Sequence, residues 1–573
     1  MGSEIAIGGA MADQKSLPNV QFENLYSEDH FGQRFWKGLF GEKIFTKYQS
    51  QFIEMGRSGA LATAYSETAE RVPPELIQFN KVGERVDQIN YHPDHEKLEQ
   101  LSFGKGIVSK KYQSPLIDKD KAFRHQIGFS TGYYFAQTET GIYCPICMTD
   151  ALGSVFEKHS EASCSRQILQ ALAQEKLEDQ WQGAMFLTEI QGGSDVGANV
   201  LRSENQGGEW RIYGEKWFCS NVDADAALVL ARLPGEEGRL ENGTKGLGLF
   251  LLLRSDPKEN FKNWQVNRLK NKLGVRSMAS GEVSFNGARV HLLGGFGKGF
   301  KMMAEMVNMS RLYNSVSSLA IARRSLLEAR AFANEREAFG RKLTELPLWR
   351  SSYSDLSSEF VLLKALVFTV IQELDKGECG DEEAMKVSRL LTPVCKALAG
   401  KFSVFCAAES MELIGGNGYI EDHILPRLLR DAQVLPIWEG TTHIQSLDLL
   451  RSFKKEGVEP LFKRLARALV GGEKLEGFDE IKVLQKDLQA KLQNFSKETV
   501  ENQQRVSREV LEQMGRVVCL SFVFEMGKNT PELSDICQAT LKRQLHRKSF
   551  FTAPSSQFLN DSAANESTFL RFF

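Results

Sequence analysis

Between Ser410 and Gln445 the chain reads SMELIGGNGYIEDHILPRLLRDAQVLPIWEGTTHIQ, and this stretch restricts the fold most tightly. An apolar helix end breaks at Gly415, Gly416 and Gly418, and further on a lone carboxylate, Glu439, stands between Ile437-Trp438 and Gly440. A short turn there holds the acid partly out of water, and desolvation raises a carboxyl pKa, by roughly 3–5 units at full burial. A carboxylate tuned in this way serves as a general base near neutral pH. The same residues also read as a helix N-terminus, with Thr441 or Thr442 as cap and Glu439 merely near the positive end of the dipole. On the turn alone the two readings stand level.

The wider stretch, GGNGYIED followed by PRLLRDAQVLPIWEGTTHIQ, resembles the C-terminal signature of the acyl-CoA dehydrogenase family: a glycine-rich turn, the Arg430-Asp431 pair and an aromatic-Glu-Gly-Thr motif. The resemblance implies that Glu439 removes the α-proton of an acyl-CoA thioester while the β-hydride passes to N5 of FAD. It further implies that the Glu439 backbone N–H and a flavin ribityl hydroxyl stabilise charge on the thioester carbonyl. By the same resemblance Gly440 lies on the substrate, and Gly416 and Thr441 lie on the cofactor. Some relatives place the base on an earlier helix, directly before an arginine. Here the residue before Arg311 is Ser310, which is no base, so Glu439 has no evident rival, and the resemblance implies a substrate-binding role for Arg311.

From Met185 the pattern changes to short apolar runs of strand composition: MFLTEIQGGSDVGAN, WRIYGEKWFCS over 210–220, 226–230, 246–253 and 283–290. A compact β domain over 183–295 is expected. Gly192-Gly193-Ser194 makes a plausible anion turn. FLTEIQGGSDVGAN and GEKWFCSN resemble the family's flavin-binding strands, which implies that the Thr188 and Ser220 hydroxyls bond the isoalloxazine and that Phe218 packs beside it. Ser194 then lies near the cofactor or the CoA phosphates. KNKLGVRSMASGEVSFNGARV over 270–290 resembles the stretch that closes this domain. GGFGKGF over 294–300 lacks the βαβ context of a dinucleotide fingerprint and reads as the entry to a helix.

The first 182 residues read as a helical, loop-rich domain in which ELIQFNKVGERVDQINYHPDHE after Pro73-Pro74 is a polar connection. PPELIQF, the Tyr91-His92-Pro93 step and YCPICMT resemble the AidB-type branch of the family. Cys144 and Cys147 have CxxC spacing, but no nearby Cys/His set completes four ligands, so packed, reduced thiols are expected and no metal. The nine cysteines form no regular framework, which fits a reducing compartment.

After Lys301 long helices follow, with Met302, Met303, Met306 and Met309 on an apolar face. The charges in RRSLLEARAFANERE read as solvated or paired at i, i+4. R-x-x-F-G at Arg336, Phe339 and Gly340 resembles the motif whose arginine binds the FAD pyrophosphate of a neighbouring subunit and whose phenylalanine packs on that cofactor. A guanidinium fork suits phosphate. A cofactor shared between chains implies an oligomer, a homotetramer built as a dimer of dimers.

Residues 451–573 carry 20 basic and 16 acidic residues and lie beyond the minimal family fold. Ile481, Leu484, Leu488, Leu492 and Phe495 mark an amphipathic helix, 517–524 a buried element, and the tail ends in phenylalanines expected to dock. The expected fold is α+β: an N-terminal helical domain (1–182), a central β domain (183–295), a helical bundle carrying Glu439 (296–450) and an additional helical C-terminal domain (451–573). The implied function is FAD-dependent dehydrogenation of a medium- to long-chain or branched acyl-CoA, with an electron-transfer flavoprotein as a further partner. Two alternatives are an AidB-like flavoprotein that binds DNA through Lys463, Arg464 and Arg467 or Lys542, Arg543, Arg547 and Lys548, and an acyl-CoA sensing protein. A net charge of −2 makes no general case for nucleic acid or an anionic membrane. Apolar runs of about eight residues fall short of the roughly 20 that span a bilayer. MGSEIAIGGAMADQKS lacks a basic start and a long apolar core, so a soluble protein of the cytoplasm or mitochondrial matrix is expected.

Overall fold

The computed structural model describes residues 18, 20–159, 162–235, 243–255, 263–545, 547, 550 and 562–573. The N-terminal stretch examined above for targeting signals, Lys548 and the SSQFLND segment lie outside the described residues.

The chain opens with α1 (His30–Phe40) and α2 (Glu42–Arg71), then a hairpin of β1 (Glu75–Phe79) and β2 (Arg85–Asn90). That hairpin corrects the reading of this segment as a polar connection. Asn80 Oδ1 accepts the Val82 and Glu84 amides and closes the turn. The hairpin is anchored from outside its own sequence: Gln78 and Arg85 donate to the Val266 carbonyl of a distant strand. Next come α3 (Pro93–Ser102), α4 (Arg124–Ala136), α5 (Thr140–His159) and α6 (Ala162–Leu172), with every residue of α4 buried.

The β domain comprises β3 (Gly183–Phe186), β4 (Arg202–Gln206), β5 (Glu209–Ser220), β6 (Ala226–Arg232), β7 (Leu247–Leu253), β8 (Gln265–Leu269) and β9 (Ser280–Leu293). The ladders run β4 to β5, β5 to β9, β9 to β7, β7 to β6, and β6 returns to β4 through Arg202 and Arg232, so the sheet closes on itself. Both faces of β6 are covered, which is why AALVLAR reads as a continuous apolar run and does not alternate.

Four helices carry the rest of the site: α7 (Gly299–Glu335), α8 (Pro347–Glu378), α9 (Glu382–Ile414) and the short α10 (Leu425–Ala432), followed by α11 (Thr442–Glu456). Among the described residues, α9 is the one helix long and apolar enough to cross a membrane, and 83% of its most apolar window is buried inside the protein. The four methionines near the start of α7 are buried as expected, but Arg323, Arg324 and Glu328 are buried too, against the solvated reading. Arg324 pairs with Glu328 at i, i+4, whereas Arg323 reaches Asp29 at 3.0 Å.

The C-terminal helices are α12 (Glu459–Leu469), α13 (Phe478–Phe495), α14 (Val500–Asn529), α15 (Ser534–Gln544) and α16 (Ser562–Phe572). Ile481, Leu488, Leu492 and Phe495 are the buried face of α13, and 517–524 lies buried inside α14. Phe569, Phe572 and Phe573 are buried, with Phe573 stacked on Phe31 of α1 at 5.3 Å. The two ends of the chain therefore share one core with α7 and α8.

Candidate active site

Glu439 sits in the turn between α10 and α11 with φ of +57°, followed by Gly440 at +96°. A left-handed backbone at a residue with a side chain is strained by about 1–3 kcal/mol and persists only where its surroundings over-determine it. Three side chains do so here. The Glu439 carbonyl accepts from Arg311 Nε at 3.2 Å and from Gln445 Nε2 at 2.8 Å, and the Gly440 carbonyl accepts from Lys396 Nζ at 2.6 Å and Gln445 Nε2 at 3.0 Å. Gly440 must be glycine on two counts, its φ and an added Cβ that would meet Ile444 Cγ2 at 2.8 Å.

Burial raises the Glu439 carboxyl above its ordinary range, against the lowering pull of the Ser310 hydroxyl, Arg311 and Lys396. The residue as a whole keeps some accessible surface. Arg311 is fixed by Asp448, Nη1 to Oδ2 at 2.7 Å, and Asp448 also takes both arms of Arg389 at 2.9 Å. Burial opposes ionisation of Asp448, but Arg311 and Arg389 hold its carboxyl below the usual range. Thr441 is the N-cap residue of α11 but makes no side-chain cap bond, so the capping reading of this turn lacks its defining contact.

On the β domain, Thr188 follows β3, and its carbonyl accepts the Trp217 amide at 2.9 Å, which brings Thr188 beside the Trp217–Ser220 end of β5. A Cβ on Gly193 would meet Thr188 Oγ1 at 2.5 Å, so this glycine lets the GGS turn close over the strand end. Ser194 is exposed, Ser220 half-buried, and Phe218 is 54% exposed on the open face. Ser220 Oγ lies 3.1 Å from Ser280 Oγ, which in turn accepts from Lys272 Nζ at 3.1 Å. Cys144 of α5 stands between the two halves, with Ser220, Lys272 and Glu439 all acting on its thiol. Burial pushes this thiol up to about 12 and raises Cys147 well above its ordinary value. Both cysteines are free and buried, so they wall the site as protonated thiols.

Arg336 and Phe339 lie on a separate hairpin, with arms Glu337–Ala338 and Arg341–Lys342, that projects from the end of α7. Phe339 is 93% exposed at φ +52°, and Arg336 is exposed as well. Gly416 is exposed in the 3-10 turn after α9. Arg311, Glu439 and Gly440 therefore meet directly, Thr188, Ser194, Phe218 and Ser220 share one edge of the β domain, and Gly416, Arg336 and Phe339 face outward.

The Arg430-Asp431 pair does not bond to itself. Arg430 donates to Glu421, and Asp431 Oδ1 accepts the Val275 amide at 2.6 Å, fastening the 270–280 loop to α10. Gly274 touches that helix so closely that a Cβ would stand 2.5 Å from the Arg430 carbonyl carbon. Of the cationic clusters considered for DNA, Arg464 is committed to Glu373 and Glu525, Arg467 and Lys463 to Glu383, Lys542 to Glu476, Arg543 to Asp355, and Arg547 to Asp355 and Glu359.

The residues present fit the flavin that the sequence resemblance implies. Thr188 and Ser220 lie beside the exposed Phe218 at the end of β5, an apolar ring with hydroxyls next to it that suits a flat heteroaromatic ring. Sequence reasoning missed Lys396, Gln445, Asp448, Arg389 and Lys272. Lys396 left a readable signal, a single lysine inside the apolar run LLTPVCKALAG, because a lysine is almost never fully buried unless partnered.

Residues 17–178 match the Adaptive response protein AidB N-terminal domain, 184–288 the acyl-CoA dehydrogenase middle domain and 297–453 the acyl-CoA dehydrogenase C-terminal domain. Acyl-CoA dehydrogenase family member 11 of Caenorhabditis elegans is 34% identical over 466 residues, 79% of this chain and 74% of that protein. Putative acyl-CoA dehydrogenase AidB of Escherichia coli is 32% identical over 399 residues, 67% of this chain and 70% of that protein. The crystal structure of Caenorhabditis elegans ACDH-11 in complex with C11-CoA superposes with a TM-score of 0.87 at 28% identity, covering 94% of each chain.

Proposed function

Because the chain belongs to the acyl-CoA dehydrogenase family, in its AidB-type branch, and that family uses FAD, we propose that it oxidises a medium- to long-chain acyl-CoA between Cα and Cβ with Glu439 as the base. The observation that carries this reading is the Glu439 turn. A carboxyl raised by burial, on a backbone tied down by Arg311, Gln445 and Lys396, is suited to take a carbon-bound proton near neutral pH. With both carbonyls of the turn held inward by side-chain donors, the Glu439 amide is left to donate to a thioester oxygen where enolate-like charge develops. FAD, when bound, supplies the acceptor for the hydride leaving Cβ. Thr188 and Ser220 would hold its ring edge, with Phe218 beside it. The substrate class comes from the nematode neighbour crystallised with C11-CoA.

The test is anaerobic flavin absorbance against acyl-CoAs of graded length and branching. Bleaching by a C10 to C14 member, followed by turnover when an electron acceptor such as an electron-transfer flavoprotein is added, is the expected result. Tight binding without bleaching would instead make the protein an acyl-CoA sensor.

The projecting Arg336 hairpin supports a further part of the proposal, a cofactor shared between subunits of a homotetramer. Phosphate contacts of a guanidinium contribute about 1.5–3 kcal/mol, so Arg336→Ala should weaken FAD retention roughly 10- to 100-fold while leaving the fold intact. Apoprotein titration with FAD, with sedimentation in parallel, reads this directly. Unchanged FAD affinity would remove Arg336 from the cofactor site.

A further inference from the structure

Lys396 is the least expected group around the catalytic turn. It is wholly buried in α9, between helices that offer it no water, and its one described hydrogen bond is to the Gly440 carbonyl at 2.6 Å. An isolated buried ammonium costs several kcal/mol, so a counter-charge is expected close by. Asp448 does not serve, because Arg311 and Arg389 already divide it between them. Among the charged groups facing Lys396, which are Glu439 on the turn, Arg311 on α7 and Lys401 on its own helix, only Glu439 favours the ammonium form. Glu439 is therefore the anion that favours the Lys396 ammonium, and Lys396 is the second cation, after Arg311, acting on the Glu439 carboxyl.

We propose that Lys396 is a positioning residue for proton abstraction: its ammonium, anchored on the Gly440 carbonyl, helps hold the Glu439–Gly440 turn in its left-handed form and adds to the positive charge of Arg311 that favours the Glu439 carboxylate. The inference rests on Glu439 being the base. Burial pushes Lys396 down to about 7 even with Glu439 opposing, so the counter-charge is present on the acid side of neutrality and fades above it. The sign of the effect follows. Removing a nearby cation disfavours the carboxylate, raises the Glu439 pKa and moves the acid limb of the rate profile to higher pH. At high pH, where Lys396 is itself neutral, the charge part of the difference should vanish, leaving only the smaller loss of the anchor on the Gly440 carbonyl.

The experiment compares the parent, Lys396→Met and Lys396→Arg, each loaded with FAD, by anaerobic flavin reduction with saturating C11-CoA from pH 5.5 to 9.5. Lys396→Met should have its acid limb displaced upward by about one pH unit, so that its rate falls up to about 10-fold below the parent's at pH values under the parent's limb, with most of that loss recovering toward pH 9. Lys396→Arg, which keeps the charge, should hold the limb near its original place. A loss in Lys396→Met that is the same at every pH would show a merely structural role and overturn the proposal. If Lys396→Met does not accumulate as folded protein, Lys396→Gln keeps a donor for the Gly440 carbonyl without the charge, and the same two outcomes apply. Glu439→Gln run alongside separates the two layers: full activity in that variant overturns the assignment of the base itself, whatever the lysine variants show.

Discussion

Glu439→Gln should retain FAD and its fold yet reduce its flavin about 10²- to 10⁴-fold more slowly than the parent, because the substitution removes the only group at the turn that can accept a carbon-bound proton and little else. The amide is isosteric with the acid. The contacts that fix the turn, from Arg311, Gln445 and Lys396, go to backbone carbonyls and survive the change. Ground-state binding of the thioester is therefore expected to stay close to the parent value, so kcat should fall and KM should not. In the parent the raised Glu439 pKa predicts a rate that falls as pH drops through a point above the ordinary carboxylate value, since only the ionised form can take the proton. The acid limb should vanish in Glu439→Gln, leaving a low, flat profile. Rapid anaerobic mixing with C11-CoA measures both quantities. A variant that bleaches at the parent rate, or that keeps the limb, would show that another group carries the proton.

How much of this was legible in the chain follows from where the information sits. The turn at Glu439 was, because a lone acid flanked by Trp438 and Gly440 behind a glycine break is a local pattern, whereas its role as base came from the family resemblance. So were the β domain and the long helices, whose periods are written in consecutive residues: β6 as an unbroken apolar run and α7 through its methionines. The hairpin at Glu75–Asn90 was not legible, because its strands are polar, their faces mostly exposed, and what anchors them is Val266, far along the chain. The burial of Arg323 was hidden for the same reason. On a helical wheel it belongs to a charged, solvated stripe, and only the docking of α1 and the C-terminal phenylalanines covers that stripe. The groups that hold the turn, Lys396 and Gln445, are ordinary residues until the fold brings α9 and α11 against two carbonyls.

That buried stripe carries the largest stability effect expected in the molecule. Asp29, Arg323 and Lys364 are all inaccessible, with Asp29 3.0 Å from Arg323 and 3.6 Å from Lys364. Lys364 lies inside a ring of aromatic faces, 4.3 Å from Trp36, 4.4 Å from Tyr133, and 5.2 to 5.6 Å from Phe35, Phe31 and Phe360. Burial alone would raise the Asp29 carboxyl, but the two cations hold it below its ordinary range, whereas burial drives Lys364 down to about 8. Two cations against one anion makes the anion the keystone. Asp29→Ala leaves Arg323 buried without its carboxylate and removes the one charge that favours the Lys364 ammonium, and breaking a buried pair from one side costs about 3–5 kcal/mol. Lys364→Met leaves the Asp29–Arg323 pair neutral and puts an apolar chain among the aromatic rings, so its cost should stay under about 1.5 kcal/mol. Because the folded-state pKa of Asp29 is depressed, its contribution is complete above the unfolded carboxylate value and is lost as pH falls through the folded one. The parent should therefore lose this part of its stability only in acid, and Asp29→Ala should show no such loss. Urea unfolding of the three proteins at pH 7 and pH 3.5 reads the ranking. Equal destabilisation by Asp29→Ala and Lys364→Met would mean that packing, and not charge, governs this core.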